Sequence, residues 1–523
     1  GVRPAKPVPF IDAIDTPMLQ LSRKDRWQLR HAYEGVHIFG GTGSGKTSGS
    51  GQALALSYLR MGMGGIVLTA KPGEWELWRG YAERSGRSAQ LVHFNDEGLY
   101  RFNFLDYAAQ INRDASGQLM TGNVVDVLYK VAQAANQGDD LQGQAPEKAF
   151  WKLAPKELLS NTIDALWCAY GRLRLSEAVE FIHSIPRTPK EFRDPKSRQT
   201  SFCLQTLSKA AGSPARPIAE DDLRSIVRCF QDNIARLDPE TRSNIVVTLT
   251  SQFAPLLKGL MRRLFCTETT LVPELTHEGA VIVIDFPINV YQEAGALAQH
   301  IFKLLWQHAT ERRNTKTSPR PVFCWADEAQ FFITPYDVHF QTTARSSRAC
   351  TVYLTQSVSN YIAMIGGSTP RESTMAFLAN FVTKIFHSNS DRDTNEMAAE
   401  MIGRNIQLRS SSSRGFSSGE STNYGSSDNR GTSINWGVQL SSQTTNTGTG
   451  RSRGGGSNSG FSSNESTSEQ MDYDIQPGEF AQLRTGGPDN DLKADAVLFQ
   501  GGRRFAANRG RNYLTVSFPQ DMP

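Results

Sequence analysis

The sequence predicts an α/β fold, in which a mostly parallel, doubly wound central sheet is joined to an inserted all-α segment. Three observations lead to this prediction. Short apolar, β-branched runs alternate with helical patterns over residues 36–108 and again over residues 281–403, which favours parallel strands connected by helices. Residues 109–280 carry apolar side chains at helical spacing and show no comparable strand pattern. A glycine-rich loop directly follows the first apolar strand.

The first α/β stretch is predicted to contain three strands. The first begins at Val36, and the next two are residues 64–68 and residues 89–94, each a short apolar run. Residues 53–60 and 74–86 are expected to form the intervening helices. The second of these ends at a glycine that is suited to a helix C-cap.

The second α/β stretch is predicted to contain four more strands, at residues 280–286, 321–326, 349–355 and 381–386. A long amphipathic helix is predicted at residues 293–312, between the first and the second of them. Because this order repeats the pattern of the first stretch, both stretches are expected to contribute to one domain.

A polar tract follows the second stretch. Residues 409–468 are rich in Ser, Gly, Asn and Thr, so most of the tract is predicted to be a flexible loop. One segment within it differs, because its apolar residues alternate as in a half-buried strand: Ile434, Trp436, Val438 and Leu440. Residues 471–518 return to the composition of a folded segment and end in a strand-like run at 513–518.

These patterns predict the domain organisation. Residues 1–108 and 281–523 are expected to form one α/β domain, with the tract 409–468 as an insertion, and residues 109–280 an all-α domain. Residues 1–35 are expected to form short edge strands and a turn at the start of the α/β domain.

The glycine-rich loop matches the phosphate-binding pattern G-x-x-x-x-G-K-T completely. The residues predicted to bind nucleotide are Gly40, Gly41, Thr42, Gly43, Ser44, Gly45, Lys46 and Thr47. Such a loop turns without side-chain clashes, points backbone N–H groups inward and leads into a helix N-terminus, so it can bind a triphosphate. Lys46 is expected to reach the β- and γ-phosphates of ATP, and the Thr47 hydroxyl is expected to hold Mg²⁺.

A phosphate-binding loop also requires an acid for the Mg²⁺ shell and a base that orients water. Two predicted strands end in an acid: one is followed by Asp285 alone, and the other by the pair Asp327 and Glu328. Because only the second strand supplies both groups, Asp327 is predicted to hold the metal and Glu328 to act on the attacking water. Asp285 is interpreted as a strand-end cap or turn residue.

Three polar residues near the Asp-Glu pair are further candidates. Gln356 follows the next predicted strand, where an amide can sense the γ-phosphate. Arg345 and Arg348 precede that strand, and in ring ATPases an arginine of the neighbouring subunit stabilises charge on the transferred phosphate. Arg345 is the preferred candidate, and the alternative for both arginines is a solvated basic turn.

Charge, cysteine content and hydropathy limit which classes of protein the sequence can belong to. The net charge is only +4, so whole-chain charge argues neither for nor against nucleic-acid binding. The six cysteines include no C-x-x-C pair and are interpreted as reduced core thiols of a cytoplasmic protein. No apolar stretch is long enough to span a bilayer, and no signal peptide is visible. The chain begins with Gly1, which leaves open that a membrane anchor preceded it.

Several short motifs occur in a defined order after the phosphate-binding loop. They are Lys-Pro-Gly-Glu at 71–74, Phe-Asn-Phe-Leu at 102–105, Phe-Trp at 150–151, Asp-Glu-Ala-Gln at 327–330, Ala-Arg at 344–345 and Thr-Gln-Ser at 355–357. This order resembles the type IV secretion coupling proteins, the TraG/TraD-like conjugative ATPases of the FtsK/HerA superfamily. The resemblance covers about residues 36–405 and 471–518. The second-strand element departs from the usual Asp-Pro-Lys-Gly-Glu of the family.

This resemblance implies a RecA-like P-loop nucleotide-binding domain with an all-α domain. It implies a hexameric ring at the cytoplasmic face of a bacterial inner membrane, held by a transmembrane anchor that this chain lacks. It further implies ATP-driven transfer of single-stranded DNA and bound relaxase into a type IV secretion channel. By the same resemblance, Lys46 and Thr47 bind ATP and Mg²⁺. The resemblance also makes Asp327 and Glu328 the Walker B pair. It makes Gln356 the sensor and Arg345 the arginine finger that acts on the neighbouring subunit.

Three other functions are compatible with the same residues. A secretion ATPase for pilus assembly or protein export would hydrolyse ATP independently of DNA. A double-stranded DNA translocase of the HerA or FtsK type would respond best to duplex. A docking module that uses nucleotide only for assembly would not need the carboxylate of Glu328.

Overall fold

The computed structural model forms two compact units. The residues that the structure describes are 8–135, 147–212, 215, 218–365, 369–419, 430–435, 442–447 and 458–520. One unit comprises Gly1–Asp391 with Leu483–Pro523, and the other comprises Arg392–Gln482.

The strands of the described residues agree closely with the predicted apolar runs. In chain order they are β1 (Pro17–Gln20), β2 (Arg26–Gln28), β3 (Val36–Phe39), β4 (Gly64–Leu68), β5 (Leu91–Phe94), β6 (Val281–Ile284), β7 (Val322–Ala326), β8 (Ala349–Thr355), β9 (Thr383–His387), β10 (Arg404–Gly419), β11 (Arg430–Asn435), β12 (Ser442–Thr447), β13 (Asn458–Tyr473), β14 (Lys493–Gln500) and β15 (Tyr513–Pro519). All the strands predicted outside the polar tract are present, and β14 is a strand that the sequence pattern did not single out.

Helices fill the connections between these strands. In chain order they are α1 (Leu29–Ala32), α2 (Gln52–Arg60), α3 (Glu74–Arg84), α4 (Phe104–Ile111), α5 (Thr121–Ala135), α6 (Glu147–Tyr170), α7 (Leu175–His183), α8 (Pro195–Thr200), α9 (Phe202–Gly212), α10 (Glu220–Arg228), α11 (Pro239–Phe253), α12 (Gly259–Phe265), α13 (Ile288–Arg312), α14 (Pro335–Thr343), α15 (Val358–Ile365), α16 (Pro370–Ala379) and α17 (Arg392–Ile402). The predicted long helix at 293–312 corresponds to α13, whose first turn is set apart by the non-helical backbone of Gln292.

The first unit contains a nine-stranded sheet that is mostly parallel, as predicted. Seven parallel strands follow the order β9-β3-β8-β7-β4-β6-β5. The strands β14 and β15 continue the sheet beyond β9 as antiparallel strands. The predicted edge strands of residues 1–35 are β1 and β2, but they pair with each other and form a separate hairpin.

The parallel strands owe their continuous apolar sequences to burial on both faces. Every residue of β3, β4, β6, β7, β8 and β9 is buried. Helices α2 and α3 cover one face, where the rings of Tyr58 and Trp78 lie 5.7 Å and 5.6 Å from the ring of Phe323. This packing fixes the two helices that flank the phosphate-binding loop.

The carboxyl ends of β3, β8 and β7 lie side by side at one edge of the sheet. The strand registers pair Phe39 with Thr355, and Ala326 with Tyr353, so the loops after these strands begin close together. In open α/β sheets, ligands bind at this edge. The predicted site residues that follow the three strands therefore meet there.

The stretch between β5 and β6 is helical in the described residues, apart from one isolated bridge between Arg113 and Leu119. On α5, the apolar residues at helical spacing are buried: Val124, Val125, Leu128 and Val131. This stretch belongs to the same compact unit as the sheet. Its separation as an all-α domain of residues 109–280 stays a prediction.

The second unit contains α17 and two antiparallel strand pairs. β10 pairs with β13 along its whole length, and β11 pairs with β12. The predicted flexible loop at 409–468 is therefore wrong for the residues of these strands, because backbone ladder bonds do not depend on apolar side chains. Of the alternating segment, Ile434 lies in β11, whereas Trp436, Val438 and Leu440 lie outside the described residues.

Two predictions from composition concern the whole chain. All six cysteines are free and buried, in agreement with the interpretation as core thiols. Within the described ranges, none of the helices combines the length and the apolar character that crossing a membrane requires.

Candidate nucleotide-binding site

The phosphate-binding loop connects β3 with α2. After the glycine-rich turn, Thr47–Gly51 forms a π-helical turn that continues as α2. Gly43 and Gly45 have φ angles of +74° and +82°, a conformation that favours glycine. A Cβ atom on Gly45 would also lie 2.5 Å from the Cβ of Ala494. Glycine is therefore required at this position both for the backbone conformation and for space.

Two side chains from distant parts of the sequence support the turn after the loop. His387, at the end of β9, places its Nε2 atom 2.7 Å from the hydroxyl of Ser50. Burial lowers the pKa of His387 to about 3, so the ring is neutral and contributes a hydrogen bond without a charge. Gln520 donates from Nε2 to the Oγ atom of Ser48 at 2.6 Å. The loop is thus tied to β9 and to the segment after β15.

A cavity of about 230 Å³ lies over the loop. It is lined by Gly41, Gly43, Ser44, Gly45, Lys46, Thr47, Ser48, Gln52, Leu77 and Tyr81. The hydroxyl of Ser44 is buried and has no hydrogen-bond partner among the described residues. Because buried polar atoms normally have a partner, this hydroxyl suits a site that takes a polar ligand.

Asp327 follows β7 and contacts the loop directly. Its Oδ2 atom accepts a hydrogen bond from Thr47 Oγ1 at 2.9 Å, and its Oδ1 atom accepts one from the backbone N–H of Glu328 at 2.9 Å. Mg²⁺ prefers oxygen ligands and is commonly bound through one or two protein side chains together with phosphate oxygens. The Thr47 hydroxyl and the Asp327 carboxylate therefore fit a Mg²⁺ ion.

Glu328 is only 2 % exposed and accepts hydrogen bonds from three side chains. Its Oε1 atom accepts from Lys71 Nζ at 2.6 Å and from Gln356 Nε2 at 3.1 Å. Its Oε2 atom accepts from Gln330 Nε2 at 3.0 Å. The backbone of Glu328 lies in the left-handed region with φ of +49°, which is uncommon for a residue other than glycine. Neighbouring groups thus hold this carboxylate in one position.

Glu328 and Lys71 form an ion pair. Burial by itself would raise the pKa of Glu328, but the hydrogen bonds from Lys71, Gln330 and Gln356, with the charge of Lys46, lower it below its ordinary value. Burial by itself would lower the pKa of Lys71, but the contact with Glu328 raises it above its ordinary value. Both groups are therefore charged at neutral pH.

Gln356, the predicted sensor, follows β8 and lies inside this network. Besides donating to Glu328, it accepts a hydrogen bond from Asn389 Nδ2 at its backbone carbonyl, at 2.7 Å. The hydroxyl of Thr355, the last residue of β8, donates to Gln330 Oε1 at 2.8 Å. The structure therefore brings together the loops after β7, β8 and β9 around one carboxylate.

Glu74, at the start of α3, is a third carboxyl group at this site. Its Oε2 atom accepts from the backbone N–H of Ala70 at 3.2 Å, and its Oε1 atom is buried without a partner among the described residues. Burial and the charge of Asp327 raise the pKa of Glu74 well above its ordinary value. The sequence pattern indicated Glu74 and Lys71 only as parts of a family element. It missed the contact of Lys71 with Glu328 and the burial of Glu74 near Asp327.

Asp285, the alternative acid, lies away from the loop. Its Oδ2 atom is 2.7 Å from the Nε2 atom of His93 on the neighbouring strand β5. The side chain thus connects two strands at the far end of the sheet, which agrees with its interpretation as a strand-end residue.

Neither candidate arginine contacts the loop of its own chain. The Arg345 side chain is 74 % exposed, and its nearest ion-pair partner is Glu34 at 3.9 Å. Arg348 donates from Nη1 to Asp12 Oδ2 at 3.0 Å. Arg345 is therefore the freer of the two, which is compatible with an action on a neighbouring subunit.

The comparison with protein families bears on the second half of the site. A family model described as the TraM recognition site of TraD and TraG matches residues 321–484. This segment contains Asp327, Glu328, Arg345 and Gln356. In overall structure the chain is similar to the unbound monoclinic form of the bacterial conjugative coupling protein TrwBdeltaN70, with a TM-score of 0.51 and 14 % identity over 94 % of this chain and 87 % of that one.

The chain resembles coupling proteins of the TraG/TraD type. Two further TrwB structures show the same likeness. The complex with ADP and Mg²⁺ has a TM-score of 0.51 and 12 % identity over 95 % of this chain and 87 % of that one. The complex with the non-hydrolysable ATP analogue ADPNP has a TM-score of 0.50 and 13 % identity over 99 % and 97 %. The fold is thus that of a RecA-like P-loop NTPase. No curated protein sequence matches the chain.

Proposed function

We propose that this chain is an ATP-driven coupling ATPase, which recruits single-stranded DNA with its bound relaxase and moves them into a type IV secretion channel. The observation that supports this proposal most is the contact between Thr47 and Asp327, with Glu328 beside it, on the fold of a coupling protein. The match to a TraM recognition site supports a partner from the DNA-processing side of conjugation.

ATP and Mg²⁺ are the proposed ligands, in line with the TrwB complexes. The backbone N–H groups of the glycine-rich loop and the Lys46 ammonium would hold the phosphates. Thr47 and Asp327 would hold Mg²⁺, which neutralises charge on the phosphates when it is bound. Glu328 would orient the attacking water, and Gln356, which contacts Glu328, would respond to the third phosphate.

The assembly that we propose is a homo-hexameric ring on the cytoplasmic face of a bacterial inner membrane, held there through a membrane anchor. Arg345 would reach the phosphates of the neighbouring subunit. Its exposure on its own subunit supports this role. Residues 1–108 and 281–523 would form the nucleotide-binding domain, and residues 109–280 the all-α domain.

The experiment that tests this proposal measures ATP hydrolysis by the chain and by Lys46→Ala, each alone, with single-stranded DNA and with duplex DNA. Stimulation by single-stranded DNA that disappears in Lys46→Ala is the expected result. Hydrolysis that depends on Lys46 but ignores DNA would favour a protein-export or pilus-assembly ATPase. Stronger stimulation by duplex would favour a HerA/FtsK-type translocase, and nucleotide binding without hydrolysis would favour a docking module.

A further inference from the structure

Lys71 forms an ion pair with Glu328, whose carboxylate the proposed reaction requires. A carboxylate offers about four acceptor positions, and the donors Lys71, Gln330 and Gln356 occupy three of those of Glu328. In this arrangement little of the carboxylate is available to a water molecule. One acceptor position remains, but the side chain is only 2 % exposed, so departure of a donor would open the carboxylate to the attacking water.

Of the three donors, Lys71 is the one that can leave most easily. Its side chain is 46 % exposed, so its ammonium can be rehydrated when the contact breaks. Gln330 is 8 % exposed, and its side chain accepts a hydrogen bond from Thr355. The backbone carbonyl of Gln356 accepts a hydrogen bond from Asn389. Lys71 also begins an exposed turn, in which Gly73 has a φ angle of +90°.

The phosphate-binding loop lies next to the same carboxylate. Lys46 of the loop acts on the charge of Glu328, and Thr47 of the loop contacts Asp327, the residue before Glu328. A third phosphate bound to the loop would bring new negative charge into this group of contacts. It would compete with Glu328 for the ammonium of Lys71, because phosphate oxygens, like a carboxylate, form charge-assisted hydrogen bonds with an ammonium.

We propose that Lys71 is a phosphate-responsive positioning residue. It pairs with Glu328 while no triphosphate is bound, and it transfers to the terminal phosphate when a triphosphate binds. The exchange releases Glu328 for its action on water and gives the site a preference for triphosphate over diphosphate. This inference rests on the proposed ATPase function and specifies how that site responds to its ligand.

The alternative is that Lys71 is a fixed counter-ion, which only neutralises Glu328. Binding of Mg²⁺ with a non-hydrolysable ATP analogue, and of Mg²⁺ with ADP, can be measured by calorimetry for the chain, Lys71→Met, Glu328→Gln and the double variant. If the exchange occurs, Lys71→Met weakens analogue binding about tenfold or more and leaves ADP binding within about twofold. If Lys71 is only a fixed counter-ion, it makes no contact with phosphate, so Lys71→Met removes no such contact.

The double variant separates the two models. If Lys71 transfers to phosphate, its removal in the Glu328→Gln background weakens analogue binding at least as much as its removal from the unmodified chain. If Lys71 only neutralises Glu328, its removal in that background has no effect, because the charge it neutralised is already absent. That second result would overturn the inference.

Two control variants complete the test. Lys71→Arg keeps the charge and is expected to retain most of the preference for the triphosphate. Arg79→Met removes an exposed cation from α3, the helix that follows Lys71, where Arg79 lies 3.9 Å from Glu83. This variant is expected to bind both nucleotides as the unmodified chain does. If the unmodified chain bound neither nucleotide, the proposed function would fail. Normal binding with Lys71→Met unchanged would refute only the role of Lys71.

Discussion

The ends of β6 and β7 look alike in sequence and differ in chemistry. Each is a buried apolar strand followed by an aspartate, Asp285 after β6 and Asp327 after β7. Asp327 accepts a hydrogen bond from Thr47 of the phosphate-binding loop at 2.9 Å, whereas Asp285 lies 2.7 Å from His93 on β5. The strand order explains the difference, because β8 alone separates β7 from β3, whereas β6 lies beyond β4.

The surroundings of the two aspartates differ in the same way. His93 stacks on Trp75, with ring centroids 3.8 Å apart, and the backbone N–H of Asp285 donates to the carbonyl of Phe94 at 2.8 Å. These contacts join β6 with β5 and β5 with α3. Asp327 instead accepts hydrogen bonds from Thr47 and from the backbone N–H of Glu328, and its charge contributes to the raised pKa of the buried Glu74. Asp285 thus supports contacts within the fold, whereas Asp327 contacts the phosphate-binding loop, where its carboxylate fits a Mg²⁺ ion.

The largest expected effect comes from Glu328, the second acid after β7, which has no counterpart after β6. Glu328→Gln is expected to lower the rate of ATP hydrolysis by about 10²–10⁴-fold, because a general base contributes that much to proton transfer. Asp285→Asn is expected to leave the rate within about threefold. Steady-state hydrolysis at saturating ATP and Mg²⁺ measures both variants. An equal loss in the two would mean that the roles assigned to β6 and β7 are incorrect.

A smaller effect is expected from the metal-binding carboxylate. Asp327→Asn should lower hydrolysis by roughly 10–100-fold at low Mg²⁺, as variants around metal ligands commonly do. Part of this loss should be recovered as the Mg²⁺ concentration rises, because the amide oxygen still binds weakly. A titration of activity with Mg²⁺ measures this, and Asp285→Asn is the matched control. An Asp327→Asn variant with unchanged Mg²⁺ dependence would contradict the proposed metal site.

The smallest effect concerns stability, and its sign differs between the two aspartates. Asp285→Asn is expected to lower the free energy of unfolding by about 1 kcal/mol, because it weakens a charged hydrogen bond to His93. Asp327→Asn is expected to leave stability unchanged or raise it, since it removes a charge from a group of carboxyls. Urea unfolding without nucleotide or Mg²⁺ measures both. Destabilisation by Asp327→Asn of more than about 1 kcal/mol would argue for a structural role of this residue.

Features that depend on neighbouring residues in sequence were predictable. The strand before the phosphate-binding loop, the loop itself and the Asp-Glu pair are encoded in short segments, and the structure places Thr47, Asp327, Glu328 and Gln356 together. Burial of the parallel strands on both faces made their apolar runs easy to identify.

Features that depend on distant contacts were not predictable. The pairing of Lys71 with Glu328 links positions 257 residues apart, and no local pattern indicates it. The same holds for the contact of Gln520 with Ser48 and for β14, whose sequence is less uniformly apolar. Apart from the alternating segment that begins at Ile434, the strands of the polar tract were missed for a different reason, because its composition resembles that of a disordered segment.

The supports of the phosphate-binding loop have a consequence for how the chain folds during synthesis. Ser50 depends on His387, which is 337 positions later, and Ser48 depends on Gln520, which is 472 positions later. A ribosome therefore releases a complete nucleotide-binding motif long before the residues that hold it. Long-range pairing of this kind folds slowly and leaves strand edges exposed in the meantime. A nascent or prematurely terminated chain would carry the motif without a working pocket, so nucleotide could not assist the early steps of folding.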